Sequence, residues 1–224
     1  MANASVVTYS GRSILWGRMK GLGAEPLNIG WGISTTTASA NPDVNLFSPA
    51  TETRVAGTST CVTTNQLADT WQVTGTLTCL VSGKTITEAG LFDTTTLSPT
   101  TTLATTITSA AQTSVTLGAA IGPTSLNFYA QILNEVVLVT GGQNTTVITF
   151  TRGTLGSSAA SSYPVGTPIT VGGDGGARAN FTLGGQTATV NAALGGNMFA
   201  HADFGGIALN VNDSILFTWR DTLT

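Results

Sequence analysis

The chain has 224 residues, of which only 8% are charged and about forty are threonine, with a formal net charge of −3 and a pI near 4.9. Soluble domains commonly carry about 25% charge and stay apart in solution by it; this chain lacks that protection, although its 41% hydrophobic content suffices for one sizeable core or two small ones. The acidic balance excludes nucleic acid as a partner, and no stretch reaches the roughly 20 apolar residues that span a bilayer, so no membrane partner is expected.

The first 25 residues stand apart. Arg12, Arg18 and Lys20 are three of only eight basic residues and surround Ile14, Leu15, Trp16 and Met19. Two readings apply: a packed edge segment, or an arm over 1–25 that extends onto a neighbouring subunit. Trp, Met and Arg are residue types that anchor interfaces, so Arg12, Trp16, Arg18, Met19 and Lys20 are the candidate interface residues. The positive charges follow the apolar residues, the reverse of a secretory signal.

Beyond the arm, glycines and prolines punctuate short alternating runs, and no window shows a helical period with caps. This predicts an all-β protein. Cys61 and Cys79 lie in strand-like runs and lack metal-site spacing; they read as free thiols or as a disulfide between neighbouring strands. Ser82-Gly83-Lys84-Thr85 resembles the end of a phosphate loop, but Thr78 stands where the first glycine belongs and a strand follows, so a β-turn is expected. In the middle, strand-like runs cover 113–117, 127–133, 135–140, 146–151 and 168–171. Two of them flank Gly141-Gly142-Gln143-Asn144 and predict a β-hairpin. The threonine-rich stretch 94–102 and the glycine loop 172–176 read as linkers or exposed loops. At the C-terminal end, Ile207, Leu209 and Val211, then Ile215, Phe217 and Trp219, alternate with polar residues around Asn212-Asp213, which predicts a hairpin with one apolar face.

Catalysis needs a nucleophile, a base or an acid pair. The single histidine, His201, lies two residues from Asp203, an arrangement usually found as a surface or interface pair, and no serine or cysteine nucleophile assembles around it. The eleven carboxylates are scattered without calcium-loop spacing. A non-enzymatic protein without cofactor or metal is expected. The Asn-x-Ser/Thr triplets at Asn144 and Asn180 read as threonine-rich composition.

Pro26–Gly32, PLNIGWG, and Ile86–Asp93, ITEAGLFD, with the closing segments NMFAHADF and IALNVNDSILFTW, resemble a family of tailed-bacteriophage virion structural proteins. In its shorter members GLFD is followed almost at once by the last hairpin; here about a hundred residues intervene. That insertion, Leu103–Val171, is similar to a small β module of phage structural proteins, with a glutamate-led strand EVVLVTGG, a TRG strand and an alanine-rich loop. Where the module usually has a loop histidine, this chain reads Ser161-Ser162-Tyr163.

The resemblance implies an antiparallel β-sandwich or jelly-roll-like domain, residues 26–93 plus 194–224, with a second small β domain, 94–193, inserted. It makes Gly30, Trp31, Gly32, Glu88, Gly90, Phe92, Asp93 and Trp219 structural motif residues: Phe92, with Ile86 and Leu91, for packing, Gly90 for a bulge or tight bend, and Glu88 or Asp93 for satisfying backbone groups. It further implies a capsid decoration or cement protein, a homo-oligomer and most simply a trimer, made in the host cytoplasm. Such a protein sits on the outer capsid surface and bridges subunits of the major capsid protein. Few charges on an extended β surface leave its edges open to pairing, a hazard in a monomer and useful in a lattice. The alternative is a tail-fibre, baseplate or tail-surface subunit whose inserted module binds host glycan through Tyr129, Tyr163 or Phe181.

Overall fold

The computed structural model describes residues 5–19, 21, 24–35, 39–124, 127–173 and 194–222. In chain order these form β1 (Val6–Val7), α1 (Tyr9–Met19), β2 (Asn28–Gly32), β3 (Val55–Ala56), β4 (Thr58–Val62), β5 (Thr70–Thr78), β6 (Lys84–Phe92), β7 (Thr100–Thr102), β8 (Ser114–Thr116), β9 (Phe128–Ile132), β10 (Glu135–Gly141), β11 (Val147–Thr151), β12 (Pro168–Val171), β13 (Met198–Leu209) and β14 (Ser214–Thr222). Every ladder between them is antiparallel, and the protein is an all-β, sandwich-like fold.

Three sheets result: β1-β13-β6-β2-β3, β14-β5-β4 and β7-β12-β9-β10-β11-β8. The first two enclose one core, in which Ile29, Trp31, Ala89 and Leu91 meet Val73, Leu77 and Trp219. The third encloses its own core around Phe128, Val137, Val139, Ile148 and Ile169, and curls until its edge strands touch through a Leu103–Leu117 bridge. Its strands follow the sequence pattern closely. The β11 run VITFT alternates exposed and buried along its whole length, and β10 and β11 pair across Gly142 (φ 70°) and Asn144 (φ 55°), where positive φ closes the turn.

Two expectations change. The N-terminal segment contains a helix, α1, which the chain's periodicity does not announce. The hydroxyl of Thr8 caps it by accepting from Gly11 N–H (2.9 Å), and its buried face is Ser10, Gly11, Ser13, Ile14 and Gly17. Small residues allow close approach: a Cβ on Gly11 would lie 1.9 Å from the Phe199 carbonyl oxygen on β13. The C-terminal pair is also not a hairpin. The chain turns at 210–213, but β13 pairs with β6 while β14 pairs with β5, so the turn carries the chain from one sheet to the other. Ile215, Phe217 and Trp219 face the core as expected, whereas Ile207 and Val211 are exposed. The ladder slips by two residues at Gly205-Gly206, between the pairs Asp203–Glu88 and Ile207–Ile86.

Cys61, on β4, is exposed, and Cys79, just past β5, is buried; both are free thiols. Cys61 pairs in register with Trp71, eight residues from Cys79, which puts a disulfide out of reach.

Candidate functional site: a buried polar seam

The five-stranded sheet has two unlike faces. Trp31 on β2 points into the sandwich core, whereas Gly30 and Gly32 point the other way, toward a strap of chain over residues 43–54. The glycines are required there. A Cβ on Gly32 would sit 2.2 Å from Glu88 Oε1, and one on Gly30 would press on Arg54 Cγ at 3.2 Å and Phe92 at 3.3 Å. The GWG pattern is thus a core tryptophan flanked by two gaps that receive charged side chains.

Glu88 fills the first gap. The strap's Phe47 and Ser48 N–H groups donate to its Oε2 (2.9 Å) and Oε1 (2.8 Å), and His201 Nε2 lies 3.0 Å from Oε2. The other imidazole nitrogen, Nδ1, is 2.8 Å from Asp43 Oδ2, and the ring meets Phe47 edge to face. All three ionisable groups are buried. Burial pulls the His201 pKa down, but hydrogen bonds and Coulombic attraction from Asp43 and Glu88 outweigh it and hold the group at about 9. His201 is therefore an imidazolium at neutral pH that donates from both nitrogens, with neither left over for a metal or for proton transfer. Among the described residues no group of three or more His, Cys, Asp and Glu is arranged to hold a metal.

The seam continues into the third sheet. Gln131 on β9 accepts from Val44 N–H through Oε1 (2.9 Å) and donates through Nε2 to Asp43 Oδ1 (3.4 Å) and the Leu133 carbonyl (2.5 Å). Asn45 donates to the Val171 carbonyl (2.8 Å) and Ser98 Oγ (2.6 Å). Arg54 lies 3.4 Å over the Phe92 ring and donates to the carbonyls of Thr94, Thr96 and Gly195, so it ties together the two places where the chain leaves and re-enters the five-stranded sheet. Burial lowers its pKa to about 9, with Asp93 opposing, and it is cationic at neutral pH. Asp93 in turn accepts from Asn197 N–H at 2.8 Å.

A second constellation lies inside the third sheet. Glu135 at the start of β10 forms a bidentate pair with Arg152 (2.5 and 2.6 Å) and also accepts from Gly153 and Ala160 N–H, both at 3.1 Å. The glutamate-led strand, the TRG strand and the alanine-rich loop are thus three sides of one buried carboxylate. Tyr163 belongs to the same core, and burial and the Glu135 charge raise its pKa.

Glu88, Phe92 and Asp93 are buried or half-buried in the seam, with Gly30 and Gly32 making room for it. Gly90 sits in regular pairing with His201 and Gly30; the ladder irregularity lies further along, between Met198 and Ala200, opposite Leu91 and Phe92. Trp219 is core. The N-terminal candidates are elsewhere: Arg12, Trp16, Arg18 and Met19 are exposed on α1, and Lys20 lies outside the described residues. Of the glycan candidates, Tyr163 is buried, Tyr129 is half-buried, and Phe181 lies outside the described residues. His201 is not a surface partner of Asp203, which instead accepts from Ser39. The sequence reading does not reach Asp43, Arg54 or Gln131; in so charge-poor a chain, an ionisable residue before an apolar run, as Asp43 precedes VNLF, is a signal that marks the first of them.

No family model matches the sequence, and neither the curated proteins nor the solved structures contain a match. Among the described residues, no helix is long and apolar enough to cross a membrane.

Proposed function

We propose that this chain is a structural protein of a tailed-phage virion, a capsid decoration or cement protein that forms a homo-oligomer, most simply a trimer, and bridges neighbouring subunits of the major capsid protein on the outside of the head. The observation that carries the reading is where the charges go. Among the described residues, eight of the sixteen Lys, Arg, Asp and Glu side chains are spent inside: Asp43, Glu52, Arg54, Lys84, Glu88, Glu135, Arg152 and Asp203. The outside is therefore more neutral than the composition alone implies, which is suited to permanent contact with neighbours. The resemblance of the GWG, ITEAGLFD and EVVLVTGG segments to phage structural proteins points the same way. On α1, Arg12, Trp16 and Met19 fall on one stripe at spacings of four and three. That stripe is the proposed contact with the shell.

Quantitative mass spectrometry of purified particles, normalised to the portal ring, tests the placement. Copies on the order of hundreds support the shell reading, about three to a few dozen move the protein to the tail, and absence from the particle overturns both. In a co-pelleting assay with undecorated heads, Trp16→Ser/Met19→Ser is expected to lose binding while retaining the wild-type fold.

A further inference from the structure

Where the strap over residues 43–54 faces the third sheet, a cleft is left between them. Its volume is about 450 Å³, within the ~300–1,000 Å³ range of small-molecule sites, which favour junctions of this kind. Leu46 and Pro49 of the strap, Leu97 just before β7 and Pro168 at the start of β12 give it apolar walls. Hydroxyl-bearing residues, among them Ser48, Thr51 and Thr102, line the rest, and the charged residues on its lining are Glu52 and Arg54.

Glu52 is 7% exposed. Lys84 Nζ pairs with its Oε1, to which Leu80 N–H also donates at 3.4 Å, while Oε2 is buried with no hydrogen-bond partner among the described residues. Burial raises the Glu52 pKa, but the hydrogen bond and charge of Lys84 outweigh it and hold the carboxyl below its usual range. Oε2 thus belongs to a carboxylate, which can only accept. A buried acceptor left unmet is costly, and native proteins leave few of them. One water would meet it but takes up ~30 Å³, a small part of the cleft. The two lining charges are already matched, Glu52 by Lys84 and Arg54 by Asp93 and the carbonyls of Thr94, Thr96 and Gly195. A charged ligand would bring an unmatched charge into the cleft, so its chemistry selects a neutral one. That ligand must donate to Oε2, exchange hydrogen bonds with hydroxyls and lay C–H surface on leucine and proline. A pyranose sugar does all three.

We infer that this cleft binds a neutral mono- or disaccharide, with a sugar hydroxyl donating to Glu52 Oε2 and a ring face against the apolar walls. Neither Tyr129 nor Tyr163 lines it, so the site is separate from the aromatic residues considered for glycan above. It is also independent of the virion reading, since a chain absent from particles would still bind.

Saturation-transfer NMR on the full chain tests it, with glucose, galactose, mannose, N-acetylglucosamine, maltose and lactose as probes and sorbitol, glucosamine and glucuronate beside them. At least one neutral sugar is expected to receive saturation and to bind with a millimolar or tighter Kd. Glu52→Gln is expected to weaken that sugar at least about tenfold, since a hydrogen bond to a charged acceptor is lost. That variant also leaves Lys84 without its counter-charge, so Glu52→Gln/Lys84→Met removes the pair together and should bind as weakly. Thr51→Val/Thr102→Val, at exposed positions, should weaken binding several-fold while melting as the wild type does. No transfer to any neutral sugar at millimolar concentration overturns the inference. So does sorbitol, glucosamine or glucuronate binding as well as the best neutral sugar, which would contradict the cyclic, neutral ligand. Folded variants that bind like wild type overturn it too, because they would place the sugar outside the cleft.

Discussion

Replacing His201 by Asn removes the positive charge from between two buried carboxylates and leaves Asp43 and Glu88 facing each other across the gap. Losing one partner of a buried charge cluster costs about 3–5 kcal/mol, because the remaining charges have neither water nor a counter-ion. The size of that cost depends on pH in a defined direction. Folding raises the His201 pKa from 6.5 to about 9, so its contribution is fully present below pH 6.5 and is lost as pH rises through 9. At about 1.4 kcal/mol per pH unit, that interval corresponds to about 3 kcal/mol. Urea denaturation of wild type and His201→Asn, followed by tryptophan fluorescence at intervals from pH 6 to 9.5, measures the gap directly, and subtracting the variant removes other groups that titrate in the same range. The gap is expected to be widest near pH 6 and to narrow by about 3 kcal/mol at the alkaline end. A gap that does not change with pH would refute the imidazolium clamp, and one that widens would reverse its sign.

Glu135→Gln breaks a bidentate pair whose carboxylate is fully buried and also holds two backbone N–H groups; a loss of about 3–5 kcal/mol in denaturant stability is expected, and under 1 kcal/mol would contradict the geometry. Gly32→Ala forces a methyl to within 2.2 Å of the Glu88 carboxylate and should cost at least about 2 kcal/mol, whereas Gly205→Ala, with nothing within 4 Å, should stay within about 0.5 kcal/mol; equal effects would show that the GWG gap is not occupied as described. Native-state alkylation read by mass spectrometry should label exposed Cys61 well before buried Cys79, and equal rates would contradict their placement.

The parts of the fold legible in the sequence are those where one strand has one wet face. Val147–Thr151 alternates exposed and buried as its position demands, and the turn at 141–144 is written in glycine and asparagine. The pattern does not name a strand's partner. Ile215, Phe217 and Trp219 read correctly as inward-facing, yet their partner is β5 and not the strand just before them, and Ile207 is exposed beyond the Gly205-Gly206 slip. Helix α1 was hidden for the opposite reason: apart from Ile14 its buried face is serine and glycine, suited to closeness and not to hydrophobicity, so no apolar period exists to detect. The polar seam was half legible. Glu88 and Asp93 stand in a quotable motif, but Asp43 reaches His201 across 158 residues of sequence, a distance only the completed fold closes.

The seam also explains why a chain so poor in charge keeps the charges it has. A strap with free N–H groups over a sheet face needs an acceptor that can take two donors at once, and Glu88 does so for Phe47 and Ser48 only because Gly32 has no side chain. That carboxylate then needs a counter-charge, which His201 supplies. The second charge of the imidazolium contact falls on Asp43, which Gln131 links to β9 of the third sheet. Each step is forced by the one before it, and the last places the third sheet against the first. Fixing the inserted sheet in this way consumes ionic groups internally and leaves threonine, serine and asparagine to face outward. The buried joint and the neutrality of the surface are thus two consequences of one arrangement, and both fit the contact role proposed above.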